Sequence, residues 1–231
     1  MIDIILPFLP LILKGTIITL SVGILALICA VLIGLAGALG SFSEHDWIKR
    51  IVSYYTASVR SVPDLVLMLL LYYGGQTFLN QLGDATGLWG YVEISTFVAG
   101  VGTIAFIFGA YITETFRAAI LSIPRGQIEA GLACGLSNRR LFTRIIWPQL
   151  IRYALPGLGN NWQVLMKTTA LVSVIGLQDL VFNSFQAGRS THHVFVFMGL
   201  TLFVYLLITL VSGAAFHLLE RRYGLKTRAV G

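Results

Sequence analysis

Three ionisable side chains fall inside otherwise apolar stretches: Asp64, Glu114 and Lys167. Charge within a hydrocarbon layer is costly and marks function by default. A carboxylate at Asp64 can select a cationic group. The Lys167 ammonium can face a substrate carboxylate, with the hydroxyls of Thr168 and Thr169 beside it. Asn160, Asn161 and Gln163 supply amides that hydrogen-bond across helices or form a gate. Each charge also has a structural alternative. Arg60 and Asp64 stand at i,i+4 spacing, Lys167 can pair with Asp64 or Glu114, and Glu114 can hold a loop arginine such as Arg117. The chemistry on offer is binding. The sequence has no H-E-x-x-H, no G-x-S-x-G and no Gly-Lys dipeptide, which excludes zincin, hydrolase-elbow and P-loop sites. His192 and His193 have no further ligand at metal spacing, and Cys29 and Cys134 lie in different settings. No metal site and no disulfide is expected.

The elements that must position these groups follow from composition. Of 231 residues, 56% are hydrophobic and 11% charged, against about 25% charged in a soluble domain. That excludes an ordinary cytosolic enzyme. Segments free of Asp, Glu, Lys and Arg fill the 29 positions between Lys14 and Glu44, and then 65–83, 94–113 and 190–219. About 20 apolar residues cross roughly 30 Å of hydrocarbon. A fifth segment, about 155–179, is apolar except for Lys167. The continuous runs lack the alternation of a β-barrel. The expectation is an all-α integral membrane protein with five transmembrane helices, surrounded by lipid.

Residues 1–14 carry Asp3, Pro7 and Pro10 and no basic region, so they predict an interfacial lead-in and not a cleaved signal. Basic residues segregate. Lys49, Arg50, Arg117, Arg125, Arg139, Arg140, Arg144, Arg152, Arg221, Arg222, Lys226 and Arg228 fall on one side, and Lys14 and Arg189 on the other. The positive-inside rule puts the N-terminus outside and the C-terminus inside. It also accounts for most of the net charge of +6 without nucleic acid. No repeat or linker appears, so residues 1–231 are expected to form one domain. Gly34, Ala36, Ala38 and Gly40 allow close helix packing. Trp47, Trp89, Trp147 and Trp162 are expected near helix ends, in the interfacial belt.

The inner segment 122–150 is too polar to cross and too patterned for a connector. Pro124 suits a helix start and Gly135 its end. Ser137 then caps a second short helix expected to stop near Pro148. On a helical wheel Leu141, Phe142, Ile145 and Ile146 share one side, opposite Arg139, Arg140, Thr143 and Arg144. Pattern alone also fits an interfacial helix with snorkelling arginines.

Glu129-Ala130-Gly131, then Gly135, Ile145 and Pro148, resemble the EAA loop of ABC importer permeases, with Gly131 for the second Ala and Trp147 for Leu. Further blocks resemble the polar amino-acid branch of that family: Ile123-Pro124-Arg125-Gly126-Gln127, Ala154-Leu155-Pro156-Gly157, Asn160-Asn161-Trp162-Gln163, residues 167–173 and Arg60-Ser61-Val62-Pro63-Asp64. They cover most of 55–180. The nearest resemblance is to permeases of histidine/lysine/arginine/ornithine and opine importers.

The resemblance implies a type I ABC importer permease fold in the bacterial inner membrane, in a chain that performs no covalent chemistry and binds no cofactor. Glu129, Ala130, Gly131, Gly135, Ile145 and Pro148 would couple it to a separate ATPase carrying ATP and Mg. The implied partners are a second permease, sister chain or self, two ATPase subunits and an external solute-binding protein. Asp64, Glu114, Asn161, Gln163, Lys167 and Thr168 are the candidates for the path of a basic amino acid. An opine or neutral polar amino acid is the alternative substrate, and an ATP-independent channel or carrier the alternative class.

Overall fold

The computed structural model describes residues 2–223, with side chains from residue 4. The tail residues Lys226 and Arg228 lie outside the described residues. Every regular element among the described residues is helical. A short helix α1 (Ile2–Ile5) and a 3-10 turn lead without a break into α2 (Leu9–Ser41). The residues α2 buries form one stripe at three- and four-residue spacing, mostly small: Gly15, Thr19, Val22, Gly23, Ala26, Ala30, Gly34 and Ala38. That stripe packs along α6 (Thr96–Leu121), the most enclosed of the long apolar helices. A Cβ on Gly34 would stand 2.5 Å from Ile112 Cγ2 and 3.0 Å from its backbone. Ala36, by contrast, faces outward.

The second crossing is broken. Between α3 (Asp46–Ser61) and α4 (Asp64–Leu69), Val62 is extended at φ −104 and ψ 140. Proline at 63 disfavours helix at the residue before it. The chain bends by 112° there and continues through a π turn (Leu70–Gly74) into α5 (Gly75–Thr86).

Beyond α6 come α7 (Arg125–Ala133), α8 (Asn138–Leu141), a π turn (Phe142–Ile146) and α9 (Trp147–Thr168). A 3-10 segment (Thr169–Ile175), α10 (Leu180–Thr191) and α11 (Val194–Tyr223) complete the described chain. Among the described residues three helices are long and apolar enough to cross alone. Two bent pairs raise the number to as many as five.

The fourth crossing differs from its expected bounds of about 155–179. Helix starts at Asn138 and continues through Pro148, because proline in the first turn of α9 removes only one donor and the π turn before it widens the backbone. The stretch between the expected fourth and fifth crossings, which carries Arg189, is not a loop but α10, bent 55° from the preceding helix. Gly176, at φ +89, ends the 3-10 segment. Asp179 Oδ1 then caps α10 by accepting from Phe182 N–H at 2.9 Å, and Thr19 Oγ1 accepts from Leu180 N–H at 3.1 Å. Trp162 is not at a helix end. It is buried in the middle of α9.

The main core joins Val22, Ala26, Met68, Ile104, Phe108, Leu165 and Met166. A smaller cluster of Ile12, Leu180, Ala187 and Phe197 ties α10 to α2 and α11. Both cysteines are free. Because Gly34 meets backbone as well as side chain, Gly34→Val should cost about 1–3 kcal/mol through overpacking. Thermal unfolding of the detergent-purified protein should show a lowered midpoint for Gly34→Val and little change for Ala36→Val.

Candidate functional site

The inner loop is a built object. Ile123 is buried, Pro124 sits extended at the N-cap of α7, and Gln127 N–H closes the first turn on the Pro124 carbonyl at 3.0 Å. The other end of α7 is a Schellman motif. Leu136 N–H donates to the Gly131 carbonyl at 3.1 Å, and Gly135 N–H to the Leu132 carbonyl at 2.9 Å. That geometry needs φ +74 at Gly135, where a side chain is strained although open space surrounds it. Ser137 is extended at the N-cap of α8, but its hydroxyl makes no capping bond.

From there the chain enters the fourth crossing without a joint. Trp147 N–H reaches the Phe142 carbonyl, the i−5 bond of the π turn. Gln149 Nε2 donates both to the Ile145 carbonyl at 2.9 Å and to Gln127 Oε1 at 2.7 Å, fastening α7 to the start of α9. A Cβ on Gly131 would lie 2.6 Å from Leu141 and 2.7 Å from Ile145, so the small residue lets α7 seat on that apolar side. Glu129 and Ala130 are exposed on α7, as are Gly135 and Pro148. Ala130, Gly131, Ile145, Pro148 and Arg144 border a groove of about 510 Å³ between α7 and α9. Among the described residues Glu129 has no ion-pair partner.

Toward the outer half, the break at Pro63 places Asp64 at the head of α4, half-buried and near Thr168, whose hydroxyl donates to the Val164 carbonyl of its own helix at 3.2 Å. Thr168 ends α9 and is buried. The alternative Arg60–Asp64 pair does not form. The 112° bend takes the two residues out of helical register, and Arg60 stacks over Tyr111 at 5.5 Å. Lys167 makes no pair with Asp64 or Glu114 among the described residues. It lies on the exposed side of α9, while Thr168 beside it turns inward. Glu114 is bonded to Arg117 at 2.9 Å and borders a polar cavity of about 310 Å³ with Ser41, Lys49 and Ser53 at the inner end of the bundle. Asp64 and Thr168 are therefore brought together, and Glu114 and Lys167 stand apart from them.

The amides act across helices. Asn161 Nδ2 donates to Thr115 Oγ1 of α6 at 2.9 Å, where Gly157 lets the helices approach, since a Cβ there would meet Thr115 at 2.6 Å. Gln163 Nε2 donates to the Thr209 carbonyl of α11 at 3.3 Å. Sequence reasoning missed the buried Asp179, although an Asp directly before an apolar run is a helix-start signal.

These features, a helical bundle with a broken second crossing and a folded cationic inner loop, are those of a membrane permease subunit. Residues 26–224 match the family described as "Binding-protein-dependent transport system inner membrane component", and the chain belongs to that family. It is 48% identical over 212 residues to the histidine/lysine/arginine/ornithine transport system permease protein HisQ of Escherichia coli (strain K12), covering 92% of each chain. It is 39% identical over 210 residues to the octopine transport system permease protein OccQ of Rhizobium radiobacter, covering 91% of this chain and 89% of the relative. A solved amino acid ABC transporter with histidines superposes with a TM-score of 0.81 at 33% identity, covering 94% of this chain and 96% of the other. The chain is thus an inner-membrane permease subunit of an amino-acid ABC importer, a family that works with an ATPase and a substrate-binding protein.

Gly135→Val should cost about 1–2 kcal/mol at the end of α7 and speed trypsin cleavage after Arg139 and Arg140 in membrane preparations. Gly135→Asn, which tolerates the left-handed conformation, should be cleaved at close to the wild-type rate.

Proposed function

We propose that this chain carries amino acids with cationic side chains inward and couples that movement to ATP hydrolysed on a separate subunit. The observation that carries the substrate class is Asp64. It is a carboxylate at the break of a membrane helix, beside the Thr168 hydroxyl and without a cationic partner among the described residues. A helix break at membrane depth is tolerated where it lines a path or is buried in protein, and a carboxylate there matches a guanidinium or ammonium. HisQ, the 48% relative, supports the same class by its name.

On this reading α7 and its exposed Glu129 and Ala130 seat on the ATPase, whose ATP and Mg the complex uses. This chain supplies no nucleotide site of its own, in keeping with the absence of a Gly-Lys dipeptide. Residues 1–231 act as one permease unit. It assembles with a sister permease, two ATPases and the external binding protein. Asn161 with Thr115 and Gln163 with Thr209 hold the bundle around the path, while Glu114 pairs with Arg117 along α6 itself.

Vesicles containing the whole complex should accumulate radiolabelled arginine only with internal ATP, and histidine or lysine should compete. Asp64→Asn should lower arginine uptake efficiency by about tenfold or more, the scale of a lost charged hydrogen bond, with expression and retention of the ATPase unchanged. Full uptake by Asp64→Asn would remove the recognition role. An inactive arginine assay in which loaded binding protein still stimulates ATP hydrolysis would move the substrate to opines or neutral amino acids.

A further inference from the structure

The polar cavity at the inner end of the bundle lies between α2, α3 and α6, lined by Ser41, Lys49, Val52, Ser53, Glu114 and Arg117. Its walls are fixed. Ser43 N–H turns back onto the Gly40 carbonyl at 3.1 Å, and a Cβ on Gly40 would meet Val52 at 3.1 Å and Ile48 at 3.3 Å. The Tyr55 hydroxyl donates to the Phe106 carbonyl at 2.6 Å and ties α3 to α6. With Ile48 and Val52 held against α2, Lys49 and Ser53 are brought to the cavity.

The cavity offers both signs of charge, with bonding capacity left over. Glu114 Oε2 accepts from Nε and Nη2 of Arg117 at 2.9 Å, while Oε1 has no partner among the described residues. Arg117 Nη1 is left for another acceptor, and Lys49 gives a single N–H, to Asp46 at 3.1 Å. Cationic donors beside a free carboxylate oxygen match a group that carries a phosphate and an ammonium together. Position narrows the source. Phe42, Trp47 and Ile51, neighbours of the lining residues in the chain, are 45%, 62% and 59% exposed. Such a bare apolar and aromatic rim belongs at headgroup level, where basic pockets between membrane helices take lipid headgroups. Glu114 narrows the kind. A headgroup with negative charge alone would face its carboxylate, and a quaternary ammonium has no N–H to give Oε1. A soluble phosphate would leave the rim uncovered.

We propose that this cavity holds the headgroup of an inner-leaflet phosphatidylethanolamine. Its phosphate accepts from Lys49 and Arg117, its ammonium donates to Glu114 Oε1, and its acyl chains cover the bare rim. The site goes beyond the transport reading and does not depend on which substrate is carried. Its test uses the whole complex, washed of lipid in mild detergent and titrated with lipids of matched acyl chains, with bound lipid counted by native mass spectrometry. The wild type should bind phosphatidylethanolamine roughly tenfold more tightly than phosphatidylcholine or phosphatidylglycerol, the scale of a charged hydrogen bond. Lys49→Gln/Ser53→Ala should bring phosphatidylethanolamine down to the level of phosphatidylcholine, and Lys49→Arg should keep the preference. Glu114→Gln should erase the discrimination against phosphatidylglycerol, because the repelling carboxylate is gone.

Equal binding of the three lipids by the wild type, or a preference for phosphatidylglycerol, would overturn the proposal whether or not the variants fold. So would displacement of phosphatidylethanolamine by free arginine, which would give the cavity to a soluble amino acid. None of these outcomes touches the transport reading, which is tested by ATP-dependent uptake.

Discussion

Within a bilayer an unpaired backbone donor or acceptor has no water to turn to, and helices or closed barrels are what can cross. In this chain that constraint falls hardest at the prolines, which lack the donor. Pro63 is not absorbed: Val62 goes extended and the crossing folds back by 112°. Pro148 is absorbed, because it sits in a first turn and follows a π turn whose i−5 bond makes room for it. The same residue type thus makes a joint in one crossing and leaves continuity in another. The site takes its shape from that difference.

The consequence is mechanical. The first helix of the inner loop, α7, is fastened to α9 by the Gln127–Gln149 amide pair and to the helical lead-in before it by the seating of Gly131 on Leu141 and Ile145. α9 then runs without a break to Thr168, which stands beside Asp64 at the joint of the second crossing. On the proposed coupling role of α7, a push there would pass along α9, which stays helical through Pro156, to the joint of the second crossing. Along the way α9 is keyed to α6 through Asn161 and Thr115 and to α11 through Gln163 and Thr209. Rigid-body rocking of packed helices is the expected outcome of such a linkage.

Much of this was legible in the sequence. Charge-free runs located the crossings, Pro63 announced the break, and Gly135 and Pro124 bounded α7, since each depends on local chemistry alone. What failed depended on chain geometry or on distant partners. The i,i+4 spacing of Arg60 and Asp64 means a contact only if helix continues between them, and it does not. Pro148 reads as a stop unless the π turn before it is known. Asp179 stood only as the end of the expected crossing, because its surroundings come from α2, where Gly15 packs on its carbonyl and Thr19 accepts from the next N–H, a partner 161 residues away. Trp162 looked interfacial because the crossing was expected to begin near 155, whereas helix already runs from Asn138.

The most direct test of the linkage is the distance between spin labels at Arg139 in α8 and Asn160 in α9, with Cys29 and Cys134 replaced by serine. It would be measured by pulsed electron resonance in the assembled complex, without nucleotide and again trapped with ATP. A stiff unit predicts one narrow distance that is the same in both states. A distance that shifts or broadens when ATP is trapped would mean that the loop moves independently of α9 and would contradict the account.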